Sequence, residues 1–73
     1  MNQFAAELRR GIMEAQQASL QALEVGHPYE AYLHRARLAD LVEVAGRHGV
    51  GTDALIAPEM RRALAEDEAA LRD

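Results

Sequence analysis

Glu30 and His34 stand four residues apart, a spacing that puts a carboxylate and an imidazole on one helical face, where both could bind a metal ion. Nothing on the same helix supplies a third ligand. His27 falls in a turn, and His48 falls at a helix end, where a positive imidazolium would suit the dipole. Two ligands do not make a centre, so no metal is expected. His34 is read instead as a buried polar residue that fixes the register of a helical seam. Glu66, Asp67 and Glu68 are consecutive, so their carboxylates point in different directions from a helix and are expected to be solvated. Ser19, Thr52 and the histidines show no nucleophile or triad spacing. Gly46, Gly49 and Gly51 follow a helix rather than a strand, the wrong setting for a phosphate loop. Arg37 and Asp40 read as a surface pair. No catalytic or cofactor-binding residue is assigned, no cofactor is expected, and so short a chain leaves little room for a closed pocket.

One binding motif calls for weighing. Ala45, Gly49-Val50 and Leu55 reproduce the small residue, turn glycine and following apolar position of a helix-turn-helix across residues 41–64. The recognition helix would contain Thr52, Asp53, Pro58 and Glu59. Pro58 inside that helix would remove a hydrogen bond and clash with the preceding turn. The nearest cations, Arg61 and Arg62, lie beyond it. A DNA-binding regulator with a degenerate motif is therefore the alternative reading, and nucleic acid is not the expected partner.

These residues must be positioned by helices. The 73 residues include 15 alanines and abundant Leu, Glu, Arg and Gln, whereas Val and Ile are sparse and no strand-like alternation persists. Gly26-His27-Pro28 breaks two long amphipathic stretches and predicts an antiparallel hairpin. The first helix should run from Asn2, a cap, to Val25, with Gly26 as its stop. Its stripe is Phe4, Leu8, Ile12, Ala15, Ser19 and Leu23, with Ala5 and Ala22 at the edges. Gly11 either admits a close neighbour or is a tolerated weakness. The second helix should run from Pro28 to Gly49 with a seam of Ala31, His34, Leu38, Leu41, Ala45 and His48. Tyr29 and Tyr32 at its start are expected to pack on the end of the first helix, and Arg35 to lie on its polar arc. Residues 49–57 form a connector in which Leu55 and Ile56 tuck under the bundle. A last helix from Pro58 to Leu71 carries a thin stripe, Met60, Ala63, Leu64 and Leu71, interrupted by Asp67.

The bulk composition bounds the class. A chain of this size buries about 60% of its unfolded surface, a thin margin that disulfides, metals or assembly usually reinforce. Cysteine is absent, which excludes disulfides and thiolate metal sites. The net charge is −4, and all eight basic residues are arginine. A mildly acidic chain without a basic stripe is a poor ligand for nucleic acid or an anionic membrane. No apolar run approaches the roughly 20 residues that cross a bilayer, and the N-terminus lacks a signal-peptide core. The expected location is the cytoplasm.

The stretch Tyr32 to Val50, with its Arg37-Leu38-Ala39-Asp40-Leu41 core and Arg47-His48-Gly49-Val50 ending, resembles small helical-hairpin proteins of actinobacteria. The likeness covers about residues 15–50; it implies the hairpin and no activity.

The expected fold is all-α, a single domain over residues 1–73: a hairpin over 2–49, then a connector and shorter C-terminal helix over 50–73. Met13 and Leu20 lie off the first stripe; Val42 widens the second, and Leu33 and Val44 form a separate apolar line toward its other side. Those five are the expected interface of a homodimer that forms a four-helix bundle, the alternative being a monomeric three-helix bundle. The expected function is a small non-enzymatic interaction or regulatory module with an unidentified protein partner.

Overall fold

The computed structural model describes residues 2–72; Met1 and Asp73, the two ends of the expected domain, lie outside the described residues. The described chain holds three α-helices and no strand: α1 (Gln3–Glu24), α2 (Pro28–Arg47) and α3 (Pro58–Arg72), with a 3-10 turn at Asp53–Leu55. The all-α hairpin with a shorter third helix is thus the fold.

Each boundary has a local cause. The Asn2 side chain accepts a hydrogen bond from the Phe4 amide at 3.0 Å, satisfying one of the orphan donors that open α1. At the other end Gly26 adopts φ 80°, the left-handed conformation that closes a helix on itself. The Gly26 amide reaches the Leu23 carbonyl at 3.1 Å, and the His27 amide reaches that of Ala22 at 2.8 Å. Pro28 then opens α2 at a position where its missing N–H leaves no bond unmade. Gly49, at φ 69°, ends α2 the same way: its amide meets the Gly46 carbonyl at 3.3 Å and Val50 that of Ala45 at 2.8 Å. Val50 packs against the core, the apolar contact that accompanies this closure.

The core lies between α1 and α2. Helix α1 buries Ala5, Leu8, Ile12, Ala15, Ser19 and Ala22, in alternating steps of three and four. Helix α2 meets them with Ala31, Leu38 and Ala45, spaced by seven and all without exposed surface. Ala5 and Ala22 flank this stripe as expected, whereas Phe4 and Leu23, expected within it, are 44% and 49% exposed. Small side chains at the contact draw the two backbones together, and a Leu23-sized group is left outside. Gly11 admits a close neighbour, the first of its two expected roles: a Cβ there would lie 3.3 Å from Leu41 Cδ1.

The connector and the start of α3 close the end of this seam. Ile56 and Met60 are buried with Leu8, Ile12 and Leu38, and Leu55, Ala57 and Leu64 pack against that cluster. Leu71, expected on the same stripe, is 75% exposed. Helix α3 therefore packs on its own hairpin through its first half.

The two kinds of glycine should respond oppositely to alanine. Gly49→Ala forces a side chain into the left-handed region and is expected to cost about 1–2 kcal/mol. Gly46→Ala sits in open space inside α2 and should gain about 0.5 kcal/mol from helix propensity. Urea denaturation of both variants measures the two signs.

Candidate functional site

Two polar devices position the third helix, and both escaped the sequence reading. Gln16, half-buried on α1, uses both ends of its amide. Its Nε2 donates to the Leu55 carbonyl at 2.9 Å, and its Oε1 accepts from the Ala57 amide at 3.0 Å. One side chain thereby satisfies two backbone groups on either side of Ile56 and holds the connector against α1. Arg61 ties the same turn to α3 by donating to the Asp53 carbonyl, 3.8 Å from that residue's carboxylate.

The second device joins α2 to α3. Arg35 donates from Nε to one carboxylate oxygen of Asp67 at 2.7 Å and from a terminal nitrogen to the other at 3.1 Å. The Tyr32 ring lies beneath the guanidinium, 5.9 Å from its carbon. The hydrogen bond that Arg35 donates to Asp67 holds the Arg35 pKa above its ordinary value, outweighing the opposing effect of burial. Arginine is already charged throughout the physiological range, so this pair tunes no proton transfer. Asp67, expected as a solvated break in the α3 stripe, is the anchor of that helix, and Arg35 faces α3 rather than lying on a solvated arc.

A groove of about 630 Å³ runs between α2 and α3, with Tyr32 and this ion pair in its wall. Ala36, Ala39, Val42, Leu64 and Leu71 form its apolar lining, with Asp40, Glu43 and Glu68 beside them. Glu43 pairs with Arg47 at 3.8 Å and Glu68 with Arg72 at 2.7 Å. The groove offers no set of convergent reactive groups.

The remaining candidates are scattered. His34 is half-exposed rather than interior, and lines a shallow depression with His27, Glu30 and Gln21. Glu30 lies 3.6 Å from the His27 imidazole. Among the described residues, no cluster of three His, Cys, Asp or Glu side chains could hold a metal. His48 is exposed, its Nδ1 donating to the Val44 carbonyl (2.9 Å) and its ring meeting the Phe4 ring edge-on at 5.0 Å. Tyr29 projects into solvent; only Tyr32 packs, beneath Arg35. Arg37 and Asp40 do not pair with each other among the described residues.

The expected interface residues do not share a face. Met13 and Leu20 are 52% and 36% exposed on α1, flanking the Gln16 clamp. Leu33 is exposed on α2, but it stands two residues from Arg35 and so points about 160° away from the side that meets α3. Val42 and Val44 are half-buried and pack against the chain's own core, Val42 also lining the groove between α2 and α3. As for the helix-turn-helix, residues 48–57 separate α2 from α3, whereas that motif uses a turn of about three or four residues. Pro58 opens α3 instead of lying inside a recognition helix.

Ser19 is the one fully buried polar side chain among the described residues, and its hydroxyl has no hydrogen-bond partner. Ser19→Ala should therefore stabilise the fold by about 0.5–1 kcal/mol, since an unpaired buried hydroxyl is removed at little change in shape. Gln16→Leu should do the reverse, losing about 2 kcal/mol because the Leu55 carbonyl and Ala57 amide both lose their partner. Thermal and urea unfolding of the two variants test both signs.

Compared with protein families, curated proteins and solved structures, the chain matches none.

Proposed function

We propose that the chain is a small interaction or regulatory module without enzymatic activity, which works by helix-bundle association and takes a second copy of itself as its partner. One observation carries this reading. Helix α1 closes a well-packed core with one side and still presents Met13 and Leu20 on another, where they stay 52% and 36% exposed among the described residues. Exposed apolar side chains that lie in a row on a helix are the mark of a contact surface. At roughly 25 cal/mol per Å², covering such side chains contributes several kcal/mol before the cost of ordering.

The polar groups point the same way. Gln16, Arg35 and Asp67 are engaged in holding the fold together, which leaves them no part in chemistry. No described helix is long and apolar enough to cross a membrane. A cytoplasmic location belongs to this proposal and rests on the mildly acidic, cysteine-free composition.

Sedimentation equilibrium across micromolar concentrations at pH 7.5 is expected to show a reversible monomer–dimer equilibrium. A chain that stays monomeric and cooperatively folded at every concentration would mean α3 completes the structure alone, and the proposal would be abandoned.

A further inference from the structure

The outward surface of α1 carries a charge pattern that complements itself. At about 100° per residue, Ala6, Met13, Leu20 and Glu24 fall on one stripe, with Arg9 and Arg10 on its two shoulders. All of these residues are exposed. Arg9, Arg10 and Glu24 make no ion pair with any described residue. The stripe thus reads basic, apolar, acidic from the N-terminal end of α1 to its C-terminal end.

We infer that α1 pairs antiparallel with α1 of a second copy, about a two-fold axis passing between Gln16 and Gln17. That point is the midpoint of Met13 and Leu20, and also the midpoint of Arg9 and Glu24. One axis therefore sets Met13 against Leu20 of the second copy and Arg9 against its Glu24, and repeats both contacts on the other side. An interface built this way is isologous, closes at two chains and leaves no open end for further growth. Charge selects the direction. Parallel pairing would bring the arginines of the two copies together at one end and the glutamates at the other, whereas antiparallel pairing neutralises both.

The other exposed surfaces fit a second copy less well. The hairpin tip carries Val25 and Tyr29 but also Glu24 and Glu30, so two tips would meet with like charges. Leu33 lies on a different flank, and of the acids beside the α2–α3 groove Glu43 and Glu68 already pair within the chain. An interface of one helix per copy falls at the small end of specific contacts, which suits a reversible dimer rather than an obligate one.

This inference rests on the proposed self-association, and charge reversal separates the two. Glu24→Arg sets arginine against Arg9 and Arg10 of the second copy; the double variant Arg9→Glu/Arg10→Glu sets glutamates against Glu24. Each alone is expected to weaken dimerisation at least about tenfold, and an equimolar mixture should recover it, because the mixed dimer restores opposite charges at both ends. Far-UV circular dichroism on each variant confirms the helices. Independently, Gln17→Cys beside the axis should oxidise readily to a disulfide-linked dimer in this otherwise cysteine-free chain, and Arg37→Cys on the opposite helix should not. A wild-type dimer that is indifferent to both reversals, and that Gln17→Cys does not trap as a disulfide, would overturn the α1 pairing and leave self-association standing. A wild-type monomer would end both.

Discussion

Everything else in the structure follows from how closely α1 and α2 approach. Ala31 and Ala45 on one helix and Ala5, Ala15 and Ala22 on the other leave almost no side-chain volume between the backbones. Dispersion contacts are dense there, and the larger Ile12 and Leu38 fill what remains. The buried positions of α1 repeat in threes and fours and those of α2 in sevens, the spacing of helices that wrap gently around each other with a left-handed twist. Gly11 belongs to the same constraint, since it gives Leu41 room to lie against the α1 backbone.

A seam that tight cannot bury large side chains along its whole length, so the core needs a plug. Ile56 and Met60 provide it, and they come from a connector and a helix with little apolar surface of their own. Polar bonds therefore carry more of the attachment than in a bundle with three equal helices. The Gln16 amide fixes the connector at two backbone atoms, and the bidentate Arg35–Asp67 pair fixes α3 farther along. Both are partly shielded from water, where such bonds are worth more than at an open surface.

The helices and their ends were legible because local rules set them. Asn2, Gly26, Pro28, Gly49 and Pro58 each act within a few residues of themselves, and the structure uses each as a cap, stop or first turn. The side-chain assignments that went astray all depend on where another element lies. Nothing in the sequence around Asp67 distinguishes a solvated carboxylate from the partner of an arginine 32 residues away. Gln16 carries no local signal of a clamp that reaches residues 55 and 57. Val42 and Val44 looked surplus on a hairpin considered alone and are absorbed once the connector and α3 are in place. Phe4 and Leu23 share the angular positions of the buried Ala22 and Ala5 and are still exposed, a difference in place along the helix that a helical wheel does not contain.

The way α3 is attached gives the molecule two tiers of stability. Its first turns are tied to the core by Met60, and its second half by Asp67 and little else, ending in an exposed Leu71. Helix α3 can therefore detach as a unit at a free energy well below that of global unfolding, while the alanine seam between α1 and α2 stays shut. Such an opening would uncover Ile56, Met60 and Leu64 together. Once the Gln16 clamp also lets go, the chain would pass through a state in which a hairpin, still folded, carries a fresh apolar face along its flank and a short helix on a leash of ten residues, 48–57.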